Sequence, residues 1–439
     1  MTAASDDQGG AGMTGVATTD PSEPANPGDD LRGTLQGIEL GSALRSVFQP
    51  LVDLDSGDVV GYEALTRGPG ERGLGAPDDL FAAARREGRL SELDWACRWA
   101  AVDAARRAGL RHPLSLFINA EPEALGGPPG SGIERWQEMG DLRCFAEITE
   151  RALTHHPAEL LRLADGVRSQ DWGIALDDIG ANPETLALMP MLQPDVLKLD
   201  LRLLREHDSL EVAEVTHAVL SQAEETGACV IAEGIEDERQ RDLAVALGAR
   251  LGQGWLLGRP APLPEVLPQP TEPVGLLPRL HDRAVSPSPY AVVNDSARAR
   301  TASRSTLQMV WHQIEQQVLT QRPAPVVLVA FPDQQSADAA VGRYTELSRT
   351  LPLVAAILGP NVTLDAPGLR VQQLGSMDPA AADWNLIVLG PHYAAALVAR
   401  PGPGAPPSWE APCEFVLTFA RPLVVRAANA MLTRLRSDG

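Results

Sequence analysis

Cysteine is scarce in this chain: Cys97, Cys144, Cys229 and Cys413 stand alone among 439 residues. None are close in sequence and there is no C-x-x-C pair. That argues against a disulfide framework and against a structural zinc site, and it fits a reducing cytoplasm. Positive charge is short as well. Lys and Arg number 37 against 58 Asp and Glu, for a formal net charge of −21 and a pI near 4.8. Such a surface repels phosphate backbones, so no nucleic-acid polymer is expected as a partner. A small anionic ligand would need metal ions or a local arginine to hold it. Long apolar runs are missing too. None approaches the roughly 18 residues of a membrane helix, and the start of the chain lacks the basic and apolar segments of a signal peptide. The expectation is a cytoplasmic protein with no membrane partner. Large apolar side chains are almost absent from residues 1–38. A segment of that kind cannot bury enough surface to offset its ordering entropy, so it reads as a disordered acidic tail.

What remains is ordinary for a globular protein, with 44% hydrophobic and 22% charged residues, and the length suits two or three domains. Over 39–266, short apolar runs alternate with segments of helical period. The expected strands are Val47–Leu54, Val59–Arg67, Pro113–Glu121, Arg143–Glu150, Gly173–Gly180, Val196–Asp200, Cys229–Ile235 and Leu251–Trp255. Helical stretches fall at Glu92–Ala108, Pro157–Ser169, Leu210–Thr226 and Glu238–Leu247. The pattern predicts an α/β fold, a (β/α)8 TIM-like barrel. The short Asp55-Ser-Gly-Asp58 turn joins the first two strands by hairpin chemistry, so the first strand is expected antiparallel to the rest. Residues 267–300 are proline-rich and read as an extended linker. Residues 301–439 carry a second, smaller α/β pattern that includes helices Thr306–Thr320, Gln334–Arg349 and Pro422–Arg436.

In such a barrel the chemistry lies at the C-terminal ends of the strands. Read in order, those ends offer Glu63 to Arg67, Asn119, Glu147 and Glu150, Asp177-Asp178, Lys198 and Asp200, Glu233 and Glu236, and Gln253. Taken singly, each carboxylate is most simply a solvated loop residue or a helix cap. Taken together they would repel one another at one mouth unless cations lay between them. All-oxygen ligands suit hard divalent ions such as magnesium or manganese. Two such ions form the usual clamp for cutting a phosphodiester.

The stretch "FQPLVDLDSGDVVGYEALTRG" closely resembles the opening of the EAL domain, the cyclic di-GMP phosphodiesterase family. "FINAEPEAL", "FAEITE", "GIALDDIG", "PDVLKLD", "VIAEGIE" and "GQGWLLGRP" continue the likeness in family order. The resemblance implies metal-dependent cutting of cyclic di-GMP to linear pGpG. By matching motif, Glu63, Asn119, Glu147 and Asp177 would hold one Mg2+ or Mn2+. Asp177 would bridge to the second ion, which Asp178 and Glu233 would help to bind. Lys198 would orient the attacking water, and the resemblance makes Lys198, Glu233 and Glu63 the catalytic set. On the substrate side, Gln49 and Leu65 would touch the dinucleotide and Arg67 a phosphate, and Gln253 would bond the water shell of the second ion. Glu150 would pin the loop after the Asp pair. The family also implies a homodimer through this domain. That loop departs from the family's usual Phe-Gly-Thr-Gly-Tyr-Ser-Ser-Leu and reads Ile-Gly-Ala-Asn-Pro-Glu-Thr-Leu here, which bears on dimer-linked activation.

Three segments from "VVLVAFPDQQSADAAVGRYTELSRTLPLVAAILG" through "EFVLTFARPLVVRAANAMLTRLR" resemble the DICT domain, a small sensory module with an unidentified ligand or protein partner. Trp311 and Trp384 read first as core, His312 and His392 as structural or solvated. Two other readings compete with the enzyme. One is a receptor that binds cyclic di-GMP without cutting it; the other is an interaction protein with a vestigial barrel.

Overall fold

The computed structural model describes residues 33–121, 124, 141–149, 157–180, 186–199, 210–271, 276, 288–402 and 412–435. Strands β1 (Arg45–Asp53), β2 (Val59–Arg67), β3 (Ser115–Asn119), β4 (Arg143–Thr149), β5 (Gly173–Ile179), β6 (Val196–Leu199), β7 (Cys229–Ala232) and β8 (Leu251–Gly252) close into a barrel in chain order. Around it run α1 (Leu40–Ala43), α2 (Pro77–Arg86), α3 (Leu90–Arg107), α4 (Pro157–Arg168), α5 (Met189–Leu192), α6 (Leu210–Thr226) and α7 (Glu238–Ala246). The first strand is antiparallel to both β2 and β8, as expected, and β2 to β8 pair in parallel. The tight turn causes this. Asp53 Oδ1 accepts the amides of Asp55 and Ser56 at 3.1 and 3.0 Å, and Gly57 takes φ 77°. A turn that short has no room for a crossover helix, so the chain must return antiparallel. Strand β7 ends before the expected Ile235 because Gly234 adopts φ 67°, which leaves the extended region.

Inward-facing positions on a strand are two residues apart. One inward tier is apolar: Phe117, Phe145, Ala175, Val196, Ile231 and Leu251 pack with Leu51 and Val60. Phe117 and Phe145 stack at 4.7 Å between ring centroids. Gly173 is needed beside them, since a Cβ there would come within 2.3 Å of the Phe145 ring. Two residues beyond each member of this tier stands a polar one: Asn119, Glu147, Asp177, Lys198, Glu233 or Gln253. Strand periodicity thus lays a polar tier directly on a dry floor. Leu276, from the proline-rich stretch, joins the floor from beneath, where Arg143 Nη1 donates to its carbonyl at 3.4 Å.

The second sheet has the order β12-β11-β10-β13-β14-β15-β9. Its strands are β9 (Arg300–Ser303), β10 (Val326–Phe331), β11 (Val354–Leu358), β12 (Arg370–Gln373), β13 (Trp384–Leu389), β14 (Ala394–Pro401) and β15 (Pro412–Thr418). Helices α8 (Pro289–Asn294), α9 (Arg304–Val318), α10 (Gln334–Leu347) and α11 (Arg421–Leu432) cover it. Alternation along β10 splits the core. Val327, Val329 and Phe331 pack with residues of α9 and α10, while Val326, Leu328 and Ala330 share a cluster with α8, α11 and the barrel.

Three expectations need correction here. The tail expected over 1–38 overlaps the fold at its end, where Leu35 is fully buried among Leu40, Leu44, Leu74 and Leu80 because its apolar side chain caps the α2–α3 face. The 267–300 stretch is not extended throughout: Pro289–Asn294 is α8, with Tyr290, Val292 and Val293 buried. Ser288 Oγ accepts the Ala291 amide at 3.2 Å and Pro289 opens the helix. Ser-Pro is linker punctuation, but it is equally an N-cap followed by a first-turn proline, and burial decides between them. Strand β14 had no place in the sequence reading. Its run of alanines has weak strand preference, but pairing with β13 and β15 on both sides holds it.

The two halves touch. Helix α11 packs on α4 and α5 of the barrel, and Asn429 Nδ2 donates to the Met191 carbonyl at 3.0 Å. Arg421 Nε lies 3.2 Å from Glu225 Oε2, and His217 Nδ1 lies 3.3 Å from His392 Nε2. None of the four cysteines forms a disulfide. Among the described residues no helix is long and apolar enough to cross a membrane.

Candidate active site

Adjacent residues on a regular strand face opposite ways, so Asp177 and Asp178 should not share a mouth. A bulge lets them. Ala175 pairs with Val196 and Leu176 with Leu197, but the next partners are Ile179 and Leu199. Asp177 and Asp178 therefore stand together opposite Lys198 alone. Asp178 takes φ 58°, in the left-handed region that Asp tolerates better than most residues. Its amide donates to Asp177 Oδ1 at 2.9 Å. An extra residue of this kind re-aims a side chain, and bulges favour barrel rims and active sites. One oxygen each from Asp177, Asp178 and Glu233 falls within a 4.8 Å cluster, the one such group found among the described residues.

Lys198 stands at the centre and is fully buried. Its Nζ lies 2.5 Å from Glu147 Oε1, 2.7 Å from Glu233 Oε1, 3.2 Å from Asp177 Oδ1 and 3.6 Å from Glu63 Oε2. Burial alone would push the ammonium's pKa down, but Asp177, Glu147, Glu233 and Glu63 more than reverse that and hold it well above the usual range. The carboxyls move the other way. Burial and then Glu63 and Asp177 push Glu147 well up, against the pull of Lys198. Burial and then Asp177 do the same for Glu233. One cation does not balance four carboxylates. The contacts to Glu147 are also poorly aligned: both of its oxygens, and Lys198 Nζ, are buried without a directed hydrogen bond. Buried, underbalanced carboxylate oxygens beside an exposed Asp178 are a donor set that fits hard divalent cations.

The remaining expected residues divide into two groups. Gln253 Nε2 donates to Glu63 Oε2 at 2.5 Å and to Gln49 Oε1 at 3.2 Å, and Asn119 Nδ2 donates to Glu63 Oε1 at 3.3 Å. Gln49 also donates to the Gly258 carbonyl at 3.1 Å. These residues form one connected rim with the carboxylates. Leu65 and Arg67 are half-buried at the end of β2 and stand apart from that chain of bonds; Arg67 Nη1 holds the Thr66 carbonyl at 2.8 Å. Glu150 and the loop residues 181–185 lie outside the described residues.

One supporting pair escaped the sequence reading. Asp94 and Arg98 on α3 form a buried ion pair, with Asp94 1% and Arg98 5% exposed. Asp94 Oδ1 accepts the Glu121 amide at 3.0 Å and so fixes the chain just past Asn119. Burial pushes the Asp94 carboxyl up to about 6, although Arg98 opposes it. The signal was present: opposite charges four residues apart on the same helix stripe as Cys97, Ala101 and Ala105. Lys198 carried a second unused signal, since it is the single lysine among the 37 Lys and Arg residues of the chain.

Comparison with known proteins follows the same division of the chain. The model for the EAL domain matches residues 34–260. That for the "sensory domain in diguanylate cyclases and two-component system", DICT, matches residues 291–401. The cyclic di-GMP phosphodiesterase RocR of Pseudomonas aeruginosa is 26% identical over 235 residues, covering 52% of this chain and 60% of RocR. The cyclic di-GMP phosphodiesterase NbdA of the same species is 29% identical over 224 residues, covering 49% of this chain and 29% of NbdA. Among solved structures, a manganese/cyclic di-GMP complex of Klebsiella pneumoniae BlrP1 aligns at 27% identity. It covers 50% of this chain and 57% of that one, with a TM-score of 0.45.

Proposed function

Since the chain belongs to the EAL domain family through residues 34–260, we propose that it hydrolyses cyclic di-GMP to linear pGpG with two divalent ions, Mg2+ or Mn2+. The observation that carries this reading is the bulge, which brings Asp177 and Asp178 to one mouth beside Glu233. Glu63, Asn119, Glu147 and Asp177 would hold one ion, and Asp177, Asp178 and Glu233 the other. When bound, the ions would polarise the phosphodiester and favour the hydroxide form of the attacking water.

The chain's own residues do the rest. Lys198 orients that water and screens the charge that builds on the phosphoryl oxygens; its contacts with Glu147 and Glu233 fix its position. The water oxygen bonds to phosphorus as one ribose–phosphate bond breaks, and the ring opens to the linear dinucleotide. The proton released by the water passes by way of solvent to the departing ribose oxygen, and Glu233, 2.7 Å from Lys198 Nζ, fixes the lysine and would help to hold the second ion. Gln253 fixes Glu63 and Gln49 in one hydrogen-bonded rim. Arg67 is free to exchange its local carbonyl contact for a substrate phosphate, which its planar fork fits. Gln49 and Leu65 line the approach for the bases, and Glu150 would brace the loop after the Asp pair.

Regulation by the C-terminal domain has a physical route in this reading. Helix α11 touches α5, which precedes β6. A shift of α11 would press on α5, which leads into β6 and Lys198. A homodimer through the barrel domain belongs to the same proposal.

The test is nucleotide separation after incubating the full chain with cyclic di-GMP in Mg2+, Mn2+ or Ca2+, with Glu63→Ala as control. The expected result is pGpG in Mg2+ and Mn2+, none in the variant and little in Ca2+, whose looser shell misplaces the attacking water. Tight binding with no product in any metal would turn the reading to the receptor. No binding at all would leave the interaction protein.

A further inference from the structure

Two of the chain's eight histidines meet across the seam between its halves. His217 stands on α6 of the barrel and His392 on the turn between β13 and β14. His217 Nδ1 lies 3.3 Å from His392 Nε2, with ring centroids at 4.7 Å and planes 45° apart. A hydrogen bond is the simplest account of the pair. Both rings are exposed, so water competes for that bond and it contributes little to stability. The same spacing has a second meaning. Two imidazole nitrogens about 2.0–2.1 Å from one tetrahedral zinc ion lie about 3.3 Å from each other.

Both rings are held in place before any ion arrives. His217 rides on a long helix. The turn that carries His392 is closed by the Gly390 amide, which donates to the Tyr393 carbonyl at 2.8 Å. Arg421 Nη2 donates to the Gly390 and Pro391 carbonyls at 2.9 and 2.6 Å. Its Nε lies 3.2 Å from Glu225 Oε2 on α6. That guanidinium ties the turn to the opposite helix with its charge already balanced. Partial burial, His217 and Arg421 lower the pKa of His392, against the pull of Glu214, and so favour the neutral ring that a metal binds.

Glu214 offers a third donor. It precedes His217 by three residues, so the two share one face of α6. Glu-x-x-His is a metal-binding spacing on helices. Glu214 has no ion-pair partner among the described residues, and its charge reaches His392. Its carboxylate stands outside the cluster distance that Asp177, Asp178 and Glu233 satisfy, and it must turn inward to complete the set.

We propose that His217, His392 and Glu214 hold a zinc ion, with water as the fourth ligand, and that the ion pins the second sheet to the barrel. Imidazole suits such borderline ions, whereas Mg2+ and Mn2+ prefer oxygen, so this seam and the barrel mouth would select different metals. The pinned helix leads into β7, and Glu233 follows that strand directly. Zinc would thus act on the barrel from its outer wall. Any effect on catalysis rests on the phosphodiesterase reading; the binding does not.

The experiment is optical titration of the full chain with Co2+, a coloured stand-in for Zn2+, in excess Mg2+ to occupy the carboxylates of the mouth. No cyclic di-GMP is present, so the outcome is independent of whether the barrel is a phosphodiesterase. The expected result is one equivalent of strongly absorbing, tetrahedral Co2+ that Zn2+ displaces. His217→Asn and His392→Asn should each weaken uptake at least tenfold, since loss of even a supporting group costs about that much. Glu214→Gln should weaken it by less. Both histidines are exposed, so without zinc their variants should unfold at the wild-type midpoint. Zn2+ should raise the midpoint of the wild type and leave that of His392→Asn unmoved. A wild type that takes up no tetrahedral Co2+ overturns the proposal. Undiminished uptake in either histidine variant does so too, because the ion would then sit elsewhere.

Discussion

Replacing Lys198 by methionine keeps most of the side chain's length and removes its charge. In the metal-free protein this strips the ammonium from carboxylate oxygens at 2.5, 2.7, 3.2 and 3.6 Å. Breaking a buried ion pair from one side costs about 3–5 kcal/mol. The lower end applies here, because Glu147 and Glu233 already bind protons more readily than ordinary carboxyls and would take them up rather than remain charged. With Mn2+ bound, the ions supply positive charge to the same oxygens, and the residual loss should be only about 1 kcal/mol, typical of a near-isosteric core exchange. The quantity to measure is the difference between these losses, about 2 kcal/mol. Urea unfolding of wild type and variant, each in chelator and in saturating Mn2+, reads it. In the same preparations, single-turnover conversion of cyclic di-GMP should fall roughly 100-fold or more while ligand affinity stays nearly unchanged. An equal stability loss with and without metal would refute the charge-balancing argument, and an unchanged chemical step would refute the catalytic one.

Other outcomes follow from single residues. Asp178→Val should destabilise the metal-free protein more than Asp178→Asn by about 1–2 kcal/mol, because a branched residue resists φ 58°; equal midpoints in thermal melts would contradict the bulge. Asp94 has a carboxyl raised to about 6 from an ordinary 3.8, so the folded state binds its proton more tightly. Its contribution is present at low pH and is lost as pH rises through the window from about 4 to 6, costing on the order of 3 kcal/mol. Asp94→Asn should lack that slope when stability is compared across the same window, and identical slopes would rule the assignment out. Gly173→Ala should lose about 1–3 kcal/mol through its clash with the Phe145 ring, measurable as a lower unfolding midpoint.

Much of this was legible from the amino acids. Alternating apolar runs and a four-residue turn are enough for a barrel with one reversed strand, because turn length leaves the chain no other return. The polar tier followed from strand ends, and the geometry brought together Glu63, Asn119, Glu147, Asp177, Lys198, Glu233 and Gln253. The bulge that makes Asp177 and Asp178 neighbours could not be read, since it depends on how β5 registers against β6 rather than on any local preference. Helix α8 hid for a related reason: Ser288-Pro289 begins a helix or punctuates a linker with equal ease, and only the packing of Tyr290 and Val293 chooses. Asp94 and Arg98 needed the third dimension as well, because an i,i+4 charge pair looks solvated until its stripe is known to face the barrel.

A chain whose only lysine is Lys198 carries, apart from its α-amine, a single primary amine, and that amine lies at the centre of the polar tier. Lysine labelled with 15N or 13C would therefore give one side-chain resonance, and it would report the protonation and surroundings of this ammonium without assignment or mutation. Amine-directed reagents become a gauge of the same place. Their reaction with the side chain would measure how often the barrel mouth opens far enough to admit them, and protection by divalent ions would measure occupancy. An economy of composition has left the molecule with a built-in probe at its most charged point.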